Sequence, residues 1–368
     1  MRLWMLLLGM TVAVNSFAAP LPAPTPLPLK LLRLPRGFSV EVYAYPVPGA
    51  RTLTLGDRGT VFVGTRENGK VYAIIPDAST PTHTRVITIA DGLNTPNGVA
   101  FFKGDLYVAE ISRLLRLDDI ENRLANPPEP VVITEEFPTE AVHGWRYIGF
   151  NPDGKLYITI GMPCNVCQQS DQRYGTITRM DPDGTNAEVF VRGIRDSEGF
   201  DWDPIDRKLW FTENGRDLMG DNSPPDKLDS ANKGMNFGFP YFDGANLPDP
   251  EFGKFSPLKT YAQAAMELPA HVEPLGMRFY TGTMFPALYR NQIFIAEHGS
   301  TNRSSKVGYQ IVLVTRTGTK ADKIKPFMTG WLQDQQAWGR PVDILVMPDG
   351  ALLISDDLAN AVYRVSYK

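Results

Sequence analysis

The sequence predicts an all-β chain folded as a six-bladed β-propeller, and three observations predict it. One pattern recurs six times along the chain, turns of the Pro-Asp-Gly kind recur within it, and helical periodicity is nearly absent.

Each copy runs as a short apolar strand, a turn, a second strand ending in small or polar residues, and a third strand. The copies occupy residues 53–74, 98–117, 147–180, 199–228, 276–314 and 342–365. At Asn151-Pro152-Asp153-Gly154 and Met347-Pro348-Asp349-Gly350 the proline presets φ and the glycine accepts φ > 0, so two alternating strands close into a hairpin. With a third and an outer strand, each copy becomes a four-stranded blade that cannot bury both faces alone, so the copies must stack radially. Residues 38–45 read as an outer strand that closes the ring with the last blade. The propeller domain is therefore set at 37–368. Residues 229–274, rich in Gly, Pro, Asn and aromatics, form an insertion expected to pack over the site as a lid or rim.

The N-terminus reads as a secretory signal over 1–19: Arg2, an apolar run from Leu3 to Val14, then small residues Ser16 and Ala18 before the cleavage zone. Prolines at 20, 22, 24, 26, 28 and 35 make 20–36 an extended leader, read as a spacer. The expected location is periplasmic or secreted, and no later run is long and apolar enough to span a membrane. A formal charge of −4, one unit more negative once Arg2 is removed, offers nothing to attract nucleic acid. Only two cysteines occur, Cys164 and Cys167, so a large apolar core must supply stability. In an oxidising compartment a short-loop disulfide is the most economical reading of the pair.

In a propeller, loops at one end of the blades converge on an axial pocket. His143 precedes the third copy, where an imidazole can serve as a general base or as a structural hydrogen-bonder. Arg195, with Asp196 and Glu198, introduces the fourth copy, either as a clamp for an anion or as an ion pair pinning the loop. The segments 212–217 and 220–226 carry dense oxygen ligands on Gly-rich backbone, which suggests Ca²⁺. No nucleotide fingerprint or Gly-x-Ser-x-Gly elbow appears in its required context.

Taken in order, these segments resemble a known family, the soluble sugar dehydrogenases that use pyrroloquinoline quinone (PQQ), and especially their L-sorbosone dehydrogenase-like branch. The resemblance runs from about Leu34 to the C-terminus. It is carried by Thr95-Pro96-Asn97-Gly98, His143-Gly144-Trp145-Arg146, Gly161-Met162-Pro163-Cys164-Asn165-Val166-Cys167, Gly193-Ile194-Arg195-Asp196 and Phe211-Thr212-Glu213-Asn214-Gly215-Arg216-Asp217. Gly199-Phe200-Asp201-Trp202, Pro224-Pro225-Asp226, Glu297-His298-Gly299-Ser300, Asn302-Arg303 and Gly339-Arg340-Pro341-Val342-Asp343 complete the set.

The resemblance implies a six-bladed propeller with PQQ on its axial face, a Ca²⁺ ion activating it, and His143 as the base that takes a substrate hydroxyl proton while hydride leaves the same carbon. Arg195 matches the arginine that stabilises the quinone oxygen. Gly215 and Arg216 match positions whose main-chain carbonyls hold Ca²⁺, with Asp226 an acid close to the cofactor. Arg303 and Arg340 match cations that pair with its carboxylates. Asn97 stands where the glucose enzymes carry a glutamine, and Asp196, Glu198 and Asn214 are further cofactor-contacting positions. Met162 replaces the aspartate that orients the histidine in the glucose enzymes, leaving Glu110 or Glu198 as candidates for that task. The implied activity is oxidation of a sugar, sugar aldehyde or polyol, with electrons passed to a separate cytochrome c or quinone-type acceptor. The rivals are a Ca²⁺-dependent propeller lactonase and a non-catalytic propeller that binds carbohydrate or protein.

Overall fold

The computed structural model describes residues 26–77, 84–244 and 246–368. The expected signal segment lies outside these residues, as does the first part of the leader. Among the described residues, six four-stranded antiparallel sheets follow one another around the ring. Blades 1 to 5 are opened by the inner strands Leu53–Leu55, Gly98–Phe102, Ile148–Phe150, Phe200–Trp202 and Pro274–Phe279. Blade 6 takes three strands from the C-terminus, Pro341–Val346, Leu352–Asp356 and Ala361–Tyr367. Its outer strand, Phe38–Ala44, comes from the N-terminal end of the domain, pairing Phe38 with Tyr367 and Val40 with Val365. This closure joins the two ends of the domain by a full strand ladder.

Packing follows from the radial arrangement. The second strands Val61–Val63, Leu156–Ile160, Leu209–Glu213, Ile293–Glu297 and Leu352–Asp356 are buried along their whole length, since each is covered by a neighbouring blade on both faces. Outer strands meet solvent and alternate, as Phe38–Ala44 does. Six apolar clusters fill the six interfaces. One joins Leu53, Val61 and Val63 of blade 1 to Leu353 and Val362 of blade 6, and another joins Trp210 and Leu228 of blade 4 to Ile293 and Ile295 of blade 5. Polar side chains on the inner strands latch adjacent blades: Asp343 accepts from Leu53 N at 2.9 Å, Asp201 from Phe279 N at 2.9 Å, and Thr54 from Phe101 N at 3.0 Å.

Two sequence expectations are corrected here. The leader is no mere spacer. Leu32 is buried, Leu27, Leu29 and Leu34 pack on the cluster between blades 5 and 6, and Arg33 bridges to Thr329. Residues 229–274 are not wholly an insertion either. The third strand of blade 4 extends over Asp226–Ala231, its outer strand is Met266–Leu268, and Pro274 begins blade 5.

Candidate active site

The loops that follow second strands and those that join one blade to the next lie at the same end of the ring, and there they enclose an axial cavity of about 280 Å³. Arg66 comes from the loop after the second strand of blade 1, and His143 and Trp145 from the entrance to blade 3. Arg195, Asp196 and Glu198 come from the entrance to blade 4. Asn214, Gly215, Asp217 and Asp226 follow the second strand of that blade. His271 and Glu273 precede blade 5, whose own loop gives Ser300, Thr301 and Asn302. Six sequence candidates thus meet Gly215 in one cavity: His143, Arg195, Asp196, Glu198, Asn214 and Asp226.

His143 Nδ1 lies 2.6 Å from the main-chain oxygen of Met162. A neutral imidazole facing a carbonyl must carry its proton on Nδ1, which leaves Nε2 as the acceptor. The side chain that orients His143 is therefore neither Glu110 nor Glu198, as the sequence suggested, because a peptide carbonyl performs the task. Glu110 is bound to Arg113 at 2.6 Å and to Asn94 N, and Glu198 is bound to Arg51. Gly161 is required beside the histidine, since a Cβ there would come within 2.7 Å of both Asp196 Oδ1 and His143 Cβ. Burial pushes the Asp196 carboxyl up, against the pull of His143 and Arg195.

Arg195 is buried, and its guanidinium is held by neutral acceptors: Nε donates to Asn165 O at 2.9 Å, Nη1 to Asn214 O at 3.4 Å and Nη2 to Asn165 Oδ1 at 3.1 Å. Nη2 also donates to Asp217 Oδ2 at 3.3 Å. Four of its five N–H groups thus have partners among the described residues, and one on Nη1 remains for a ligand. Arg66, which sequence reasoning missed, lies 3.6 Å over the Trp145 ring with its Nε unpartnered. No repeat position marks it, so only the fold reveals it.

Several candidates lie elsewhere. Asn97 is fully buried under the cavity, accepting from Arg51 Nε at 2.7 Å and donating to Arg146 O at 2.9 Å. Arg303 is engaged by the carbonyls of Asp221 and Ala270. Arg340 donates to Glu273 at 2.7 Å and to Gly299 O at 2.6 Å. Neither arginine is among the residues lining the axial cavity. Arg216 turns its side chain to Asp249 and Glu251, tying the long blade 4 connection to the site loop. That connection is not a lid. Its segment 236–241 lines a separate groove with Met162, Gln168 and Tyr174, and only its end, His271 and Glu273, reaches the axial cavity. Cys164 and Cys167 are joined by a disulfide beside Arg195.

From the cavity wall inward runs a largely buried ion network that the sequence did not disclose. Arg51 binds Glu198, and binds Asp357 at 2.7 Å. Asp357 meets His298 at 3.0 Å, His298 meets Glu273 at 3.3 Å, and Glu273 meets Arg340. Burial alone would raise the Glu273 carboxyl, but His298, Arg340 and Arg51 together hold it below the usual range.

The donor set suits a hard cation. Asn214 Oδ1 is buried without a partner, and the Asp226 carboxyl beside it is pushed up to about 7 by burial, although it accepts from Gly215 N at 2.8 Å and Glu273 N at 3.0 Å. Among the described residues no three His, Cys, Asp or Glu side chains are grouped to hold a metal. A cation here would therefore depend on amide and main-chain oxygens beside Asp226.

Glu297, next to this network, is also pushed up to about 7 from 4.5 by burial, and its Oε1 has no partner. Between these values the native state binds more protons than the unfolded one. Its contribution to stability is thus fully present below about pH 4.5 and lost as pH rises to about 7, by up to about 3 kcal/mol. Glu297→Gln is expected to raise Tm over the parent at pH 7.5 and to leave it nearly unchanged at pH 4.5. Calorimetry at the two pH values checks this.

With this geometry in view, comparison with known proteins places the chain. The glucose/sorbosone dehydrogenase family model matches residues 109–362. An uncharacterized protein of Borreliella burgdorferi is 33% identical over 354 residues, covering 92% of this chain and 91% of the relative. Among solved structures, the holo PQQ domain of Coprinopsis cinerea pyranose dehydrogenase superposes with a TM-score of 0.76 at 17% identity, covering 91% of this chain and 97% of that one. The PQQ-bound aldose sugar dehydrogenase of Streptomyces coelicolor gives 0.66 at 18% identity, covering 91% and 100%. At such identities the structural likeness is one of fold. No described helix is long and apolar enough to cross a membrane. On the match over residues 109–362, the chain belongs to the glucose/sorbosone dehydrogenase family.

Proposed function

We propose that the protein is an exported quinoprotein dehydrogenase that oxidises a sugar, sugar aldehyde or polyol at the axial cavity and passes the electrons to a separate cytochrome c or quinone-type acceptor. The observation that carries this reading is His143, whose Nδ1 is committed to the Met162 carbonyl so that Nε2 is free to accept a proton. PQQ, when bound with Ca²⁺, supplies the two-electron acceptor for the hydride. His143 takes the hydroxyl proton, so the substrate loses one proton and one hydride and leaves as the carbonyl compound.

Arg195 offers one N–H, and a charge countered only by the solvent-exposed Asp217 carboxylate among its hydrogen-bond partners, where negative charge develops on the acceptor oxygen. Arg66, which lines the cavity where Arg303 and Arg340 do not, is the cation we assign to a cofactor carboxylate. Asn214 Oδ1, the Gly215 carbonyl and Asp226 would hold Ca²⁺, and Arg216 has only its main-chain carbonyl to add. Asp196 and Glu198 set the charge of the wall beside His143.

Apoprotein reconstituted with PQQ and Ca²⁺ is expected to reduce an artificial dye with one or more aldoses or with sorbosone, and to need both additions. Absence of turnover with all of these, in protein that is folded and loaded, would count decisively against the reading.

A further inference from the structure

We propose that Asn165 is the positioning residue for Arg195, and that the Cys164–Cys167 bond keeps it in that position; the inference rests on the role given to Arg195 above. Asn165 lies inside the ring that the disulfide closes. Its main-chain oxygen accepts from Arg195 Nε at 2.9 Å, and its Oδ1 accepts from Arg195 Nη2 at 3.1 Å. The same Oδ1 accepts from Asp217 N at 2.7 Å, while its Nδ2 donates to Asp217 O at 3.0 Å. One residue thus fixes both the guanidinium and the loop that carries Asp217, whose carboxylate is, with Asn214 O, a further partner of the guanidinium.

The chemistry of these acceptors matters. A neutral amide and a peptide carbonyl fix the direction of a guanidinium without cancelling its charge, whereas a carboxylate would do both. Asp217, the acid on this fork, lies 3.3 Å away and its side chain is 42% exposed, so solvent screens its effect. Arg195 is therefore held rigidly yet remains electrostatically available to a ligand.

The disulfide is needed because little else orders the segment. Among the described residues, 163–170 takes part in no main-chain to main-chain hydrogen bond. Its fixed points are the disulfide, the bonds of Asn165 itself, Gln168 on the Tyr241 hydroxyl at 3.1 Å, and two local contacts, Gln169 to Cys167 Sγ and Gln172 to Ser170 O. Opening the ring would release the peptide that aims Arg195.

Reaction of Arg195 with phenylglyoxal, followed by mass spectrometry on the cofactor-free protein, tests this without reference to activity. Asn165→Ala, the double variant Cys164→Ala/Cys167→Ala, and the parent protein treated with dithiothreitol should each label at Arg195 roughly tenfold faster than the oxidised parent. In the last case the S–S bond takes up two electrons and two protons to give two thiols, as the dithiol closes to its cyclic disulfide. Asn165→Asp keeps both acceptors and should label as slowly as the parent, which separates aim from mere loss of fold.

In the PQQ- and Ca²⁺-loaded enzyme, Asn165→Ala should lower kcat about tenfold with KM within about twofold, because Arg195 acts on charge that develops during the reaction. Faster labelling with no turnover even in the parent would support the positioning and count against the dehydrogenase reading. Unchanged Arg195 labelling in both Asn165→Ala and the cysteine-free variant, with melting curves like the parent's, would overturn the proposal.

Discussion

Replacing His143 by asparagine is expected to lower turnover of the reconstituted enzyme by roughly 10²–10⁴-fold, the range that a positioned general base contributes. Asparagine is the suitable replacement because His143 has φ +48°, a left-handed conformation that asparagine tolerates better than most residues. His143 is only half-buried, and its ring is held by a hydrogen bond to Met162 O, so the fold should be little affected. Stopped-flow dye reduction together with thermal unfolding separates the two effects. Turnover within threefold of the parent would remove His143 from the chemistry.

Replacing Arg51 by methionine is expected to cost about 3–5 kcal/mol of stability, because it strands buried carboxylates that now have a cation between them. Arg51 binds Glu198 and Asp357 and donates to Asn97, and its side chain is 2% exposed. The desolvation cost of Glu198 would then be uncompensated, whereas Asp357 keeps His298. Adding Glu198→Gln should restore part of the loss, since a neutral amide can be buried more cheaply than an unpaired charge. Urea unfolding with an unchanged m value measures it. A loss below about 1 kcal/mol would show that the network is not a structural keystone.

The ring was legible because its signals are local. A strand-turn-strand pattern, with Pro-Asp-Gly at 152–154 and 348–350 and other turns elsewhere, repeats six times, and radial stacking lets such blades bury both faces. The strand Met266–Leu268 was not legible because three residues are too few to show alternation. The leader misled for a different reason: its prolines hide the spacing of Leu27, Leu29, Leu32 and Leu34, which are the residues that dock.

At the site, residues that open a blade or follow its second strand were readable, among them His143, Arg195 and Asp226. Arg303 and Arg340 do not line the cavity, and a sequence shows that a fork exists but not which acceptors draw it aside. Arg51 precedes the first copy and Arg66 lies within it, and nothing in the local pattern distinguishes a buried hub or a cation on a tryptophan face from a solvated arginine.

The central claim is that the axial cavity, with Arg66, Arg195 and His143 on its walls, is a PQQ site. Equilibrium titration of the cofactor-free protein with PQQ, followed by the quinone absorbance with and without Ca²⁺, tests it most directly. The account predicts saturable binding of one PQQ per chain at micromolar concentration, strengthened by Ca²⁺ and weakened at least tenfold in Arg66→Ala. A folded protein that binds no PQQ at that concentration with Ca²⁺ present would contradict it.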